Sequence, residues 1–355
     1  MKRHYFLGGT TAKGYYRFYD DLKSILDRVM FIDSGMTSTT HPILNQLVED
    51  YERDYEIGCV HNHVEPDKLE AMVIPERKLA VIDRSKTAHQ PLLFPKLVEN
   101  VVYMGEGYNY EYLYQNRNCL TQLYEEKSVL QEQAIKHFEK AHQHHEDIEK
   151  IYIEYLNFDK ANRVTNDFMQ KLFRSTSLHK TSQIVHRYLG AATPDGPIDF
   201  VLDLTSDIDE RIFIKGRSGT GKSTMLRKIV SEAQNRGIDV EIYHCGFDPE
   251  SLDMVILREL SVAIFDATAP HEHEPERSND HIFDAYELFV DGNPDASHEQ
   301  EVADLKGLYK SETKKATSCL DSIRDKTRSF EKIYQDSLDD GYVQGIIARI
   351  QNWIN

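Results

Sequence analysis

Ile212-Phe213-Ile214-Lys215-Gly216-Arg217-Ser218-Gly219-Thr220-Gly221-Lys222-Ser223-Thr224 is an apolar run that breaks into a glycine-rich loop ending in Gly-Lys-Ser-Thr. It satisfies the Walker A pattern G-x-x-x-x-G-K-[ST]. β-like residues precede the loop, and Met225-Leu226-Arg227-Lys228-Ile229-Val230 follows with apolar residues at helical spacing, so the pattern lies between a strand and a helix N-terminus. Glycines let the backbone turn tightly enough to aim several N–H groups at one anion, and the positive end of the helix macrodipole adds to the attraction. On this reading Gly216, Arg217, Ser218, Gly219, Thr220, Gly221, Lys222, Ser223 and Thr224 cradle a phosphate chain. Lys222 reaches the β and γ phosphates and Ser223 holds Mg²⁺ through its hydroxyl.

Working outward, the chain repeats itself at a shift of 182 residues. His4, Leu7, Gly8, Thr11, Gly14, Phe18, Asp21, Leu22, Ser24, Asp27, Phe31 and Ile32 meet identical residues from His186 to Ile214, twelve identities in 29 positions without a gap. One inserted position later Glu65-Pro66 faces Asp248-Pro249, and Ala80 and Asp83 face Ala263 and Asp266. Glu149-Lys150-Ile151-Tyr152 returns as Glu331-Lys332-Ile333-Tyr334 at the original shift. A repeat of this length spans whole domains, and 355 residues accommodate two of ordinary size. The expected division is 1–180 and 183–355, across the polar linker Thr176 to Ser182.

Alignment of the copies shows that the first loop is degenerate. Ser34-Gly35-Met36-Thr37-Ser38-Thr39-Thr40-His41-Pro42 stands where Gly216 to Thr224 stand, with Thr40 for the lysine, His41 for the magnesium serine and no motif glycine in place. Pro42 is compatible with a helix's first turn, so the strand-loop-helix shape is expected to survive without tight ATP binding. The alternative is a Ser/Thr-rich anion loop that uses bare helix-terminal N–H groups.

Strands alternating with helices predict an α/β fold, a tandem duplication of a domain with a parallel sheet and flanking helices. Helices are expected around 15–27 and 197–208, a short helix or turn over Pro249 to Leu257, and a buried strand over Leu260 to Asp266. Long helical tails at about 115–156 and 298–338 extend each copy as hairpins or arms. Asp266 ends four apolar residues at a strand's C-terminal edge, the Walker B arrangement, which would bind the metal's water shell. Asp83, its counterpart, lacks an intact loop and reads as structural.

The group that activates a nucleophile is less legible, because Ala267 follows Asp266 where hydrolytic enzymes of this kind often carry a glutamate. Asp248 and Glu259 are the nearest acids by chain position. An arginine finger has candidates in Arg258 and Arg277, or in Arg84 across the domain interface. The histidine pairs His61/His63 and His271/His273, and the group His142, His144 and His145, do not map onto one another between the copies, which argues against a transition-metal site. His271, with an approximate counterpart in His89, is a candidate to contact nucleotide or cap the loop.

Charge excludes one class of partner. Residues 1–180 carry 23 Lys/Arg against 27 Asp/Glu and the rest 19 against 32, for a net charge of −17, with no basic surface of the kind a nucleic-acid binder needs. Four cysteines without a C-x-x-C pair, and no apolar segment of signal-peptide or membrane-spanning length, point to a cytoplasmic protein.

Gly8-Gly9-Thr10-Thr11-Ala12-Lys13-Gly14, the Gly216 to Thr224 loop, His244-Cys245-Gly246-Phe247-Asp248-Pro249 and Phe265-Asp266-Ala267-Thr268-Ala269-Pro270-His271 together resemble an uncharacterised bacterial family of tandem P-loop ATPase-like proteins. The likeness covers nearly the whole chain. It implies a P-loop nucleotide-triphosphate hydrolase fold in each half, and ATP binding. The degenerate first loop departs from that pattern and leaves one functional site. No Asn-Lys-x-Asp guanine signature is present, so ATP is the expected nucleotide. An ATP-driven switch with slow hydrolysis, partnered by a protein, comes first. A kinase passing the γ-phosphate to a small acceptor under a lid cation such as Lys314, Lys315 or Arg324, and a non-hydrolysing nucleotide-bound scaffold, are the alternatives.

Overall fold

The computed structural model describes residues 1–87, 92 and 94–355; His89 lies outside the described residues. Each copy builds one six-stranded sheet. The first runs, in spatial order, Lys2–Tyr5, Ile57–His61, Leu69–Ile74, Leu79–Asp83, Arg28–Asp33, Glu99–Tyr103, and the second runs Ile184–Tyr188, Val240–His244, Leu252–Leu257, Val262–Asp266, Glu210–Lys215, Asp280–Asp284. The fold is α/β, as the alternation predicts, but the sheets are mixed rather than parallel. Leu69–Ile74 and Leu252–Leu257 run antiparallel to both neighbours. Pro249 to Leu257 is therefore only briefly a turn, and Leu252–Leu257 is a fully buried strand. The cause is local. Each of these strands ends in a single 3₁₀ turn, Pro75–Arg77 or Arg258–Leu260, closed by a left-handed residue, Lys78 (φ 46°) or Ser261 (φ 52°). That sends the chain straight back alongside itself.

The helices expected at 15–27 and 197–208 are shorter than their pattern. Gly14–Arg17 and Gly196–Asp199 form the second strands of small hairpins, and only Tyr19–Ser24 and Val201–Leu204 are helical. The glycines at the turns, Gly14 (φ 93°) and Gly196 (φ 105°), sit where only glycine is unstrained.

Both sheets turn one face toward a shared core. Val29, Phe31, Val60 and Ile82 from the first and Phe213, Tyr243, Met254 and Phe265 from the second belong to it, with Leu22 and Leu204 of the short helices. Phe6 and Tyr188, equivalent residues of the two copies, exchange backbone hydrogen bonds of 3.1 and 2.9 Å, which marks a local two-fold relation.

The tails neither stay with their own sheet nor project free. Arg117–Ile153 and Glu299–Gln335 are single helices of 37 residues each, about 55 Å long, and they pack antiparallel. His137 pairs with Glu312 at 2.6 Å and Lys326 with Glu126 at 2.5 Å. Ala134, Phe138, Ala316 and Leu320 fill the seam, with the alanines allowing close approach. Each arm then delivers its terminal helix to the other copy. Phe158–Phe173 packs through Ala161, Val164, Phe168 and Phe173 on the second sheet, and Asp340–Ile354 through Ile346, Ile347, Ile350 and Ile354 on the first. The crossings match residue for residue. Asn157 N–H bonds Phe289 O and Asp339 N–H bonds Gly107 O, each at 2.9 Å, and the Asn157 and Asp339 side chains cap the helices that follow.

No helix among the described residues is long and apolar enough to cross a membrane.

Candidate functional site

The strand Glu210–Lys215 runs into the loop, and the helix Lys222–Asn235 leaves it. Gly219 (φ 78°) and Gly221 (φ 86°) carry the left-handed turns that fold the loop over the helix N-terminus. Thr220 Oγ1 donates to Arg217 O at 2.7 Å and the Lys222 ammonium donates to the same carbonyl at 2.9 Å, so the lysine stem lies back across the loop. Asp266 reaches the site because its strand lies beside the loop strand in parallel, with Ile214 opposite Asp266. Both strands end at one edge. Asp266 Oδ2 is 3.5 Å from Lys222 Nζ, and Oδ1 accepts from Thr268 N and Oγ1. Ser223 Oγ accepts from Leu252 N at 3.0 Å.

The loop motif and Asp266 thus converge, as does Asp248, which lies beside the first arm 3.7 Å from both His142 and Lys13. The remaining candidates do not. Glu259 sits at the opposite end of its sheet, bonded to Asp239 N–H and Lys180. Arg258 is bound to Glu241 and Asp207, Arg84 to Asp33 in its own half, and Arg277 to the carbonyls of Thr205 and Ile208. Arg324 bonds Asp195, and Lys315 bonds Glu312. Arg217, within the loop, bonds Asp295 at 3.2 Å and lies over the Tyr286 ring.

Two groups escaped sequence reading. Asp253 lies on the strand next to Asp266, one residue beyond the pair Met254–Phe265. Burial pushes its carboxyl up to about 6, with the Asp266 charge adding to the shift and His271, Cys245 and Lys222 opposing it. Its counterpart Glu70 is likewise pushed up by burial, to about 7, while Lys86 pulls it down. An acid in the same place in both copies, inside an otherwise apolar strand, was the available signal. The second group is the first arm itself. Ser218 Oγ and His145 Nε2 share a hydrogen bond of 2.8 Å. A Cβ on Gly219 would come within 2.4 Å of Glu149 O, so the arm rests directly on the loop.

The paired histidines are engaged in hydrogen bonds. His271 Nδ1 and His273 Nε2 lie 2.9 and 3.0 Å from the two oxygens of Asp199. Burial opposes charge on His271, but the Asp199 bond and the Asp253 and Asp266 charges outweigh it and raise its proton affinity. His61 bonds His4 and Pro66 O, and His63 bonds Thr10. Among the described residues no group of three or more His, Cys, Asp or Glu is arranged to hold a metal ion.

The degenerate loop keeps the frame of the intact one. His41 Nδ1 accepts from Leu69 N at 2.9 Å, the bond that Ser223 makes to Leu252. At the N-terminus of the helix Thr37–Tyr51 the anion position holds the protein's own carboxylate. Glu331 of the second arm accepts from Thr37 N at 2.9 Å and Ser38 N at 3.2 Å, with Lys68 Nζ 3.4 Å away. Glu331 is only 5% exposed. Lys86 is also in this pocket: burial works against its charge, but Glu70, Asp83, Glu331 and Glu65 together raise its proton affinity. The alternative of an anion loop built on bare N–H groups thus has a physical counterpart here, with a glutamate as the anion.

Comparison with protein-family models, curated proteins and solved structures gives no match in any of the three, so the functional reading rests on the residues and their geometry.

Proposed function

We propose that the protein binds ATP with Mg²⁺ at the loop Gly216 to Thr224 and uses it as a slow hydrolase or ATP-driven switch, with one working site per chain. The observation that carries this reading is the convergence of three elements at one sheet edge: a glycine turn at a helix N-terminus, the Lys222 ammonium, and Asp266 3.5 Å from it. Backbone N–H groups and a lysine suit a phosphate chain. The oxygens of Ser223 and Asp266 suit Mg²⁺, a hard cation that keeps several of its waters. The switch reading draws support from the arm resting on the loop through Gly219 and Ser218, since a ligand at the loop meets a helix that continues to the other half.

The test is equilibrium binding of a fluorescent ATP analogue with Mg²⁺, and phosphate release, by the full chain and by Lys222→Ala. The expected result is saturable binding weakened at least about 100-fold in the variant. Equal binding by both proteins would refute the assignment. Turnover that requires a small-molecule acceptor would replace the switch by a kinase, and tight binding with no turnover would leave a scaffold.

A further inference from the structure

We propose that Glu149, carried by the first half's arm, is the general base of the second half's site. The inference rests on the ATP reading above and supplies the group missing after Asp266.

The two copies provide its geometric warrant. Glu149 and Glu331 are equivalent residues of the repeat. Glu331 shows where an arm carboxylate lands when it faces a loop: on the N–H groups of Thr37 and Ser38 at 2.9 and 3.2 Å. The equivalents of those two residues are Gly219 and Thr220. In the second half the arm makes the same approach, with Glu149 O against Gly219, but the carboxylate is turned aside, Oε1 lying 3.7 Å from His145 Nδ1. His145 is held in turn by Ser218 Oγ at 2.8 Å. The same residue therefore fills the anion position in one copy and is turned to the side of it in the other, where Thr220 N–H bonds Arg217 O at 3.3 Å instead of a carboxylate.

Other acids compete poorly for the role. Ala267 follows Asp266, Glu259 lies at the far end of the sheet, and Asp248 is flanked by Lys13 and His142. Electrostatics favour a proton acceptor at Glu149. Burial raises its proton affinity first, and the charges of Asp248 and Glu146 add to this against His142 and Lys222. His145, its other neighbour, is itself lowered by burial first, with His142 and Lys222 adding to this against Asp248 and Glu146.

In the step proposed, a water oxygen bonds to the γ-phosphorus as the bond from that phosphorus to the β–γ bridging oxygen breaks. The water proton passes to the Glu149 carboxylate and then to solvent, leaving ADP and inorganic phosphate. Loss of a positioned base lowers rate by roughly 10²–10⁴-fold without requiring loss of binding.

The experiment compares the full chain with Glu149→Gln and Glu149→Asp, measuring fluorescent ATP affinity with Mg²⁺, single-turnover phosphate release, and its pH profile. Glu149→Gln is expected to hold affinity within about three-fold, to lower the rate at least about 100-fold and to flatten the acid limb of the profile, with Glu149→Asp recovering part of the rate. A Glu149→Gln rate within about three-fold of the parent overturns the proposal. A rise in affinity of about ten-fold with the rate kept also overturns it, because Glu149 would then be a plug like Glu331. A parent that binds ATP but hydrolyses none overturns the base role alone, whereas a parent that binds no nucleotide overturns the ATP reading itself.

Discussion

Replacing Glu331 by alanine should unlatch the second arm from the first half. The carboxylate is buried and accepts from Thr37 N and Ser38 N, with Lys68 Nζ at 3.4 Å and the Lys86 charge in the same pocket. A hydrogen bond to a charged group contributes about 1.5–3 kcal/mol, and removing one partner of a buried ion pair costs about 3–5 kcal/mol because the other charge stays behind. These terms overlap, and Lys68 keeps its 2.7 Å pair with Glu65, so the expected loss is about 3 kcal/mol in total, read from the urea midpoint with an unchanged slope. The vacated pocket keeps two helix-terminal N–H groups and the Lys68 ammonium, with the Lys86 and Lys127 charges acting on it. Inorganic phosphate should therefore restore stability to Glu331→Ala, by about 2.7 kcal/mol at a hundred times its dissociation constant, while chloride at equal ionic strength should not. The parent should gain nothing specific, since its carboxylate already fills the position. A variant within about 0.5 kcal/mol of the parent, or an equal response of both proteins to phosphate, would refute the view that Glu331 stands in for an anion.

Two further perturbations test other links. Gly219→Ala places a methyl group 2.4 Å from Glu149 O on a residue with φ 78°, whereas Gly35→Ala meets nothing within 4 Å at a φ of 71°. The left-handed backbone costs both about 1–2 kcal/mol, so a clearly larger loss for Gly219→Ala, with faster amide exchange in residues 145–153, would measure the contact between arm and loop; equal losses would deny it. Glu70, fully buried, is pushed by burial from 4.5 to about 7. The folded state then holds a proton that the unfolded chain has released, and this group's contribution falls as pH rises from about 4.5 to 7. Relative to Glu70→Gln the parent should lose up to roughly 3 kcal/mol between pH 5 and 8, and a difference that does not vary with pH would contradict this assignment.

Sequence reading succeeded where the pattern is local. The glycine loop, its strand and its helix appear where the motif and periodicity predict them, and Asp266 lies beside Lys222. It failed where pattern is ambiguous or the decisive contact is remote. Leu252-Asp253-Met254-Val255-Ile256-Leu257 follows a proline-containing turn and contains an acid, which hides a buried strand. Fully apolar runs also carry no mark of direction, so nothing in them distinguishes a parallel from an antiparallel neighbour. The exchange of Phe158–Phe173 and Asp340–Ile354 between the copies could not be read at all, because each helix's apolar face fits either of two homologous sheets. Only the reach of a 37-residue arm decides between them.

That exchange ties the two copies together. Each half covers the helical side of its sheet with its own helix, Thr37–Tyr51 or Lys222–Asn235, and the terminal helix of the other half completes that layer. The same crossing brings His145 and Glu149 of the first half to the second half's loop, and Glu331 of the second half to the first half's loop. With Glu331 seated, the second arm is fixed at one end by a buried ion network. The first arm, with Glu149 turned aside, meets its loop through a backbone contact and one hydrogen bond. A phosphate arriving at Gly219 and Thr220 would act on the arm whose carboxylate is not seated on a loop, while the other arm's is. Such differential contact is what a ligand requires to bias a two-state element. On the proposed ATP reading, the first loop, with Glu331 seated on its N–H groups, serves as the fixed side of the device and the second loop as the side a ligand would move.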